Sequence, residues 1–180
     1  MNDKFLVDYK MNTGKNFSKA GGFVRILKNH SLRYLFYGRI TEYTHSKIIL
    51  WICKIHLNRI KAKQGLEIDF SGKSIGKGLQ LIHPFSITVN PSAKLGENVV
   101  LFKGCTIGSI RSGKRAGVPQ IGNNVVICCN AFICGGISIG SNVLIAANSF
   151  VNFDVPDNSV VIGNPGVIKE KENPVEDYIK

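Results

Sequence analysis

Aliphatic residues recur at every sixth position through most of the second half of the chain. The recurrence forms three in-phase series: Ile75, Leu81, Ile87; then Leu95, Leu101, Ile107; then Ile121, Ile127, Ile133, Ile139, Ile145, Val151. This period fits neither the α-helical turn of about 3.6 residues nor the simple alternation of a half-buried strand. It fits a repeat in which each unit supplies one short strand and one turn. The pattern predicts a parallel β-helix with three units per triangular coil, the aliphatic residue pointing inward, and about four coils from Ile75 to Pro156.

Two interruptions break the period. Eight residues separate Ile87 from Leu95, which predicts a small bulge, and fourteen separate Ile107 from Ile121. The longer interruption contains a glycine-rich, basic insertion at 109–120 (SIRSGKRAGVPQ), which is expected to protrude as a loop. Because loops on a rigid scaffold often carry functional residues, this insertion is a candidate part of the site.

The first third of the chain differs from the repeats in charge and in pattern. Residues 1–65 hold 13 of the 23 Lys and Arg residues but only three of the 12 acidic residues. Apolar residues at helical spacings within 22–63 predict α-helices, whereas 1–20 show no strong pattern and are expected to be loose. We therefore divide the chain into a basic helical segment (1–65), a β-helix domain (66–168) and a C-terminal tail (169–180).

The charge of the helical segment indicates either an acidic partner or a solvated helix face. An anionic membrane surface fits these amphipathic, aromatic helices better than nucleic acid does, since the sequence contains no recognisable nucleic-acid-binding module. The sequence shows no secretory leader and no apolar stretch of the roughly 18 residues that a membrane span needs. Five cysteines, an odd number, argue against a disulfide framework. These features predict a cytoplasmic protein that contacts the inner face of the membrane through its basic helices.

The repeats, the inserted loop and the segment VPDNSVVIGNPGVI at 155–168 resemble the hexapeptide-repeat acyltransferases, and within them the serine acetyltransferase-like group. The segment from HSLRYLFYGRI to GLEI also resembles the helical lead-in of O-acetyltransferases from bacterial capsule and exopolysaccharide loci. The resemblance implies an all-β left-handed parallel β-helix, preceded by an α-helical segment and followed by a short tail. It also implies a homotrimer that binds acetyl-CoA in grooves between neighbouring β-helices.

His83 is the candidate catalytic base, since it is the only one of the four histidines that lies in the repeats. In the family this role belongs to a histidine two places after an inward aliphatic residue, and Leu81 precedes His83 in that way. A neutral imidazole can take the proton of an acceptor hydroxyl as it attacks the thioester. The family also implies a carboxylate that orients the imidazole. Glu67 is preferred for this role, with Asp69 as the alternative because one residue is inserted between Ile68 and Ile75.

The resemblance also implies candidate coenzyme A contacts. Backbone groups along the coils and near the end of the repeats would contribute, and basic side chains would meet the phosphates. These candidates are Gly108, Ala146, Ala147, Asn164 and Pro165, with Arg111, Lys114, Arg115, Lys169 and Lys171 as the cations. A single histidine in the repeats, and cysteines without CxxC spacing, predict that no metal is bound.

Two positions depart from the serine acetyltransferase pattern. Ile82 stands where those enzymes have an Asp before the histidine, and Val118 stands where they have a second His. A site for a zwitterion should keep polar partners for both charges. We therefore expect the acceptor to be a saccharide hydroxyl, free or lipid-linked, in surface polysaccharide biosynthesis. Serine O-acetylation and a non-catalytic trimeric scaffold remain the alternatives.

Overall fold

The computed structural model describes residues 2–179, which form four helices followed by thirteen short strands. The helices are α1 (Asp3–Thr13), α2 (Lys19–Lys28), α3 (His30–Thr41) and α4 (Lys47–Gln64). The strands are β1 (Gln80–Ile82), β2 (Thr88–Val89), β3 (Lys94–Leu95), β4 (Val100–Phe102), β5 (Thr106–Gly108), β6 (Gln120–Ile121), β7 (Val125–Ile127), β8 (Phe132–Cys134), β9 (Ser138–Ile139), β10 (Val143–Ile145), β11 (Phe150–Val151), β12 (Ser159–Ile162) and β13 (Val167–Glu170).

The strands stack in three parallel ladders, which are the three faces of a left-handed β-helix. One ladder runs β1-β4-β7-β10-β12, the second β2-β5-β8-β11 and the third β3-β6-β9. All twelve period-six residues are buried, with exposed fractions of 4% or less. The predicted β-helix is therefore confirmed, and its inward ladder is confirmed outside β2. Strand β13 ends the ladder, because it pairs antiparallel with β12.

The shorter interruption lies elsewhere than the sequence suggested. Val89, rather than Ile87, pairs with Ile107 and holds the inward position of β2. The two extra residues therefore lie between Leu81 and Val89, in the turn that contains His83, and the bulge predicted after Ile87 is wrong. Both candidates are apolar, buried and two positions apart, so they share a strand face and the sequence alone could not separate them.

The corners of the β-helix depend on two kinds of residue. Asparagines occupy the left-handed backbone region at successive corners, with φ between 53° and 59°, at Asn98, Asn124, Asn130, Asn142, Asn148 and Asn158. Asparagine tolerates this region better than other residues with a side chain. A column of glycines, Gly76, Gly96, Gly122 and Gly140, instead lets adjacent coils approach closely.

Gly122→Ala is expected to destabilise the fold by about 1–3 kcal/mol, because overpacking forces the backbone to shift. A Cβ at this position would lie 2.6 Å from the backbone oxygen of Gly140. The matched control is Gly72→Ala, whose Cβ would find no atom closer than 3.8 Å. Chemical denaturation of both variants measures the difference, and equal midpoints would contradict the tight-column explanation.

The helical segment closes the N-terminal end of the β-helix. A single apolar core includes Phe5 and Tyr9 of α1, Leu32 and Leu35 of α3, and the first inward residues of the β-helix. Helix α1 occupies most of the stretch that was expected to be loose, so that expectation is wrong. The helix buries only Phe5, Asp8 and Tyr9, and two apolar residues are too few to give a strong periodicity in the sequence.

A buried ion cluster fixes the helices to the first coil. Arg39, which is 1% exposed, donates to Asp8 and Glu42 at 2.7 Å each. It also donates to the backbone oxygen of Ile75 at 2.9 Å, and Asp8 accepts from the amide of Leu79 at 2.9 Å. The cluster therefore satisfies backbone groups at the end of the β-helix, where no further coil can pair with them.

The outer surface of the helices carries apolar side chains. Ile48 and Trp51 of α4 are 73% and 65% exposed, and Leu27 of α2 is 66% exposed. Among residues 2–179, none of the helices combines the length and the apolar composition that crossing a bilayer requires. The predicted contact of these basic helices with a membrane surface stays a prediction.

Candidate functional site

His83 lies in the turn between β1 and β2, with φ at 49°. Its side chain is exposed, and its backbone oxygen accepts from the amide of Phe85 at 2.7 Å. The end of α4 holds this turn in place, because the amide of Ser86 donates to the backbone oxygen of Gln64 at 2.7 Å. The helical segment therefore positions the loop of the candidate base.

His83 opens into a cleft of about 520 Å³, here called the His83 cleft. Its lining comprises Asn12, Lys28, Asn29, His30, Ser31, Gln64, Leu81, Ile82, His83, Pro84 and Phe85. Each of the four helices contributes at least one of these side chains. The lining contains one lysine, two histidines and three amides but no carboxylate, so its electrostatic potential suits a negatively charged group.

Gln64 is the least satisfied polar side chain of the His83 cleft. Its Nε2 contacts the Nδ1 atom of His30, whereas its buried Oε1 has no hydrogen-bond partner among the described residues. The residue is only 6% exposed. A buried amide oxygen without a donor costs about 1–3 kcal/mol, so the position favours a ligand that can donate to it.

Glu67 and Asp69 line a different cleft, of about 650 Å³, here called the Glu67 cleft. It comprises Tyr34, Lys54, Leu57, Asn58, Lys61, Leu66, Glu67, Ile68, Asp69, Thr88, Val89, Asn90, Pro91, Ile107, Gly108 and Ser109. Glu67 pairs with Lys61 at 3.1 Å, and Asp69 accepts from the amide of Ser71 at 2.8 Å. Across residues 2–179, no hydrogen bond or ion pair joins either carboxylate to His83. The assignment of an orienting carboxylate stays a prediction.

Tyr34 fixes the segment that carries these carboxylates. Its hydroxyl accepts from the amide of Ile68 at 2.9 Å and donates to the backbone oxygen of Ile68 at 3.0 Å. Burial, together with the negative charges of Asp69 and Glu67, raises the pKa of Tyr34 to about 12. The phenol therefore stays protonated near neutral pH and keeps its donor.

The candidate coenzyme A residues fall in three places. Gly108 ends β5 and lines the Glu67 cleft. Ala146 and Ala147 follow β10, and Asn164–Pro165 form a cis peptide in the turn between β12 and β13. Lys169 lies within β13, whereas Lys171 follows it, and both side chains are exposed. The structure thus brings Gly108 together with Glu67, but it places the other candidates at later coils.

The insertion at 109–120 folds back on the β-helix. Ile110 and Gly117 exchange both backbone hydrogen bonds, at 3.0 and 2.9 Å, which closes the loop as a hairpin. The amide of Gly136 in the next coil donates to the backbone oxygen of Arg115 at 2.9 Å. Arg111 and Lys114, the candidate phosphate contacts, are exposed on this hairpin.

The two departing positions have ordinary structural roles. Ile82 packs in an apolar cluster on the outer face of the first ladder, together with Val100, Val126 and Val175 of the C-terminal tail. Val118 is half-buried in the inserted loop. Among the described residues, no three or more His, Cys, Asp or Glu side chains are grouped so as to hold a metal ion.

Comparison with known proteins agrees with the repeat. The family model for the bacterial transferase hexapeptide (six repeats) matches residues 119–152. Residues 119–152 are therefore similar to the hexapeptide-repeat transferases. The repeats outside that match have the same parallel ladders and buried aliphatic residues.

The similar proteins found by sequence and by structure are serine acetyltransferases. Serine acetyltransferase 1, chloroplastic, from Arabidopsis thaliana is 42% identical over 120 residues, which is 65% of this chain and 37% of that protein. The Neisseria gonorrhoeae serine acetyltransferase solved in complex with serine is 27% identical, with a TM-score of 0.72 over 92% of this chain and 67% of that one. A Brucella abortus serine acetyltransferase solved with coenzyme A shares the fold, with a TM-score of 0.71 at 24% identity. The chain spans only about a third of the plant relative's length.

These relatives overturn the predicted acceptor. The prediction of a saccharide hydroxyl in polysaccharide biosynthesis is wrong, because the matching proteins are serine acetyltransferases, and the narrower likeness to capsule enzymes is not confirmed. The error came from judging the acceptor by two positions of a linear motif. The His83 cleft shows that polar groups near the histidine also come from helices far away in the sequence.

Sequence reasoning did not find Lys28, His30 and Gln64 as candidate site residues. They lie at helix ends in the basic segment, where lysine, histidine and glutamine are common surface residues. Their only sequence signal is that each closes or opens a helix next to a break in the apolar pattern.

Proposed function

We propose that this protein is a serine O-acetyltransferase, which transfers the acetyl group of acetyl-CoA to the hydroxyl of L-serine. The observation that carries the proposal is the likeness to serine acetyltransferases, which extends over 92% of the chain in the comparison with the serine complex. The His83 cleft supports it, because an exposed histidine there lines a pocket that contains several polar side chains and has a volume common for small ligands.

In the proposed reaction His83 acts as a general base. It takes the hydroxyl proton of serine as the oxygen attacks the acetyl carbonyl of the thioester. Backbone N–H groups stabilise the oxyanion of the tetrahedral intermediate. The intermediate then collapses, the C–S bond breaks, and the leaving thiolate takes the proton from the imidazolium. The products are O-acetylserine and free coenzyme A, so no metal or redox partner is needed for the balance.

Coenzyme A release in the presence of L-serine tests this proposal directly. We expect the purified chain to release free thiol from acetyl-CoA only when serine is added, with O-acetylserine identified by mass. Buffer without serine and L-alanine, which lacks the hydroxyl, are the controls. Thiol release that is independent of the hydroxyl, or none at all, would contradict the proposal, and failure to bind acetyl-CoA in calorimetry would favour a non-catalytic scaffold.

We also propose that the active form is a homotrimer, as the resemblance to hexapeptide-repeat acyltransferases implies. Phe132 and Phe150 on the second ladder support an interface, because their rings stack outward at 6.0 Å between centroids and Phe132 is 43% exposed. Light scattering is expected to give three times the mass of one chain. A monomeric mass at the concentration of the activity assay would rule out the trimer.

A further inference from the structure

The His83 cleft is the place where an acceptor must lie if His83 is the base, because proton transfer requires hydrogen-bond reach. The Glu67 cleft is larger, but His83 does not line it. The chemistry of the His83 cleft therefore decides which acceptors fit. This inference rests on the proposed function and adds the residues that would recognise the amino acid.

One end of the cleft is electropositive. Lys28 ends α2, and α3 begins at His30 with its N-terminus at the cleft. Asn29 caps α3 by accepting from the amide of Leu32 at 3.1 Å, which leaves other first-turn amides free to face a ligand. A helix N-terminus and a lysine ammonium both stabilise a carboxylate.

The buried amide of Gln64 lies at the same cleft. Its Oε1 lacks a donor, and its Nε2 is held by His30, so the amide oxygen is fixed in place. An ammonium group carries three N–H donors, and one of them would satisfy Oε1.

We propose that the His83 cleft is an amino-acid subsite in which Lys28 and the N-terminus of α3 bind the α-carboxylate and Gln64 Oε1 accepts from the α-ammonium. The serine hydroxyl then faces His83. These groups take the part that a polar residue at 82 or 118 would otherwise play. The subsite thus explains how a chain with Ile82 and Val118 recognises a zwitterion.

The first test separates the carboxylate contact from general damage. Lys28→Gln is expected to raise the KM for L-serine by roughly ten- to a hundredfold, as expected for the loss of a charge-assisted contact, with little change in the KM for acetyl-CoA. The same variant should change the KM for L-serine methyl ester little, because the ester lacks the carboxylate charge. The matched control is Lys19→Gln, at the other end of α2 and outside the cleft.

The second test addresses the ammonium contact. Gln64→Met keeps the side-chain length and removes the amide oxygen. It is expected to raise the KM for L-serine several-fold but to leave the KM for 3-hydroxypropionate, which lacks the amino group, nearly unchanged. Thermal unfolding of each variant checks that the turn carrying His83 is intact.

The outcomes distinguish this subsite from the proposed function. If the wild-type chain acetylates serine and Lys28→Gln behaves like Lys19→Gln, the subsite is wrong and the function stands. An equal loss for serine and its methyl ester would also overturn the carboxylate contact, since it would indicate a merely structural role. If the wild-type chain neither binds nor acetylates serine, the function fails first and the subsite with it.

Discussion

His83→Asn is expected to lower acetyl transfer to serine by about 10²–10⁴-fold, the usual contribution of a general base. Asparagine is chosen because His83 has φ at 49°, in the left-handed region that other corners of this β-helix fill with asparagine. Alanine would add a backbone strain of roughly 1–2 kcal/mol and confuse the two effects. The turn should therefore keep its shape while the base is lost.

The measurement is the initial rate of coenzyme A release at saturating serine and acetyl-CoA. His45→Asn is the control, because His45 is an exposed histidine between α3 and α4 and lines neither cleft. Free energies of unfolding within about 0.5 kcal/mol of wild type would show that both variants fold normally. If His83→Asn kept more than half of the wild-type rate, His83 would not be the base.

Arg39→Met is expected to destabilise the fold by about 3–5 kcal/mol, because it leaves buried Asp8 without its cation and leaves buried Glu42 with only Lys4, at 3.5 Å. Asp8 and Glu42 are both nearly inaccessible to water, and Arg39 also satisfies the backbone oxygens of Ile75 and Gly76. The control is Lys77→Met, which breaks an exposed pair with Glu97 at 3.5 Å. Exposed pairs of this kind contribute about 0–1 kcal/mol, so the two variants should separate clearly in urea unfolding.

The pH dependence of Arg39→Met follows from Asp8. Burial raises the pKa of Asp8 above its ordinary value, while Arg39 and the amides of Leu79 and Gly78 act in the opposite direction. Removing Arg39 raises that pKa further, so the folded variant binds a proton at pH values where the unfolded chain does not. The free energy of unfolding of the variant then increases as pH falls from neutral toward the pKa of Asp8 in the unfolded chain. The stability difference between the variant and the wild type therefore shrinks on acidification. A deficit that grows on acidification would contradict this reading of the cluster.

His83→Asn is expected to lose activity and Arg39→Met to lose stability, because the two residues have different roles in the fold. Arg39 lies at the junction of the helices and the first coil, where no further coil can satisfy the backbone. His83 lies on the adjacent turn, whose two extra residues shift the phase of the ladder. The helices therefore both close the β-helix and complete the pocket next to the candidate base.

Much of the β-helix could be predicted from sequence because its repeat is local. Each strand needs an inward aliphatic residue, independently of contacts with distant parts of the chain. The six-residue spacing from Ile121 to Val151 is therefore enough to predict the β-helix. The phase near His83 could not be determined in this way. Ile87 and Val89 are equally apolar and equally buried, and only the pairing of Val89 with Ile107 shows which one belongs to the ladder.

The sequence by itself determined the repeat and the helical character of 22–63, and it predicted His83, among four histidines, as the candidate base. The tertiary structure decided which groups surround that histidine. Lys28, His30 and Gln64 reach the His83 cleft from three separate helices, and Ser31 donates to the backbone oxygen of Leu81, 50 residues away, at 2.9 Å. Such contacts depend on how the helices pack against the end of the β-helix. The six-residue repeat does not predict these contacts, because they join residues that are distant in the sequence.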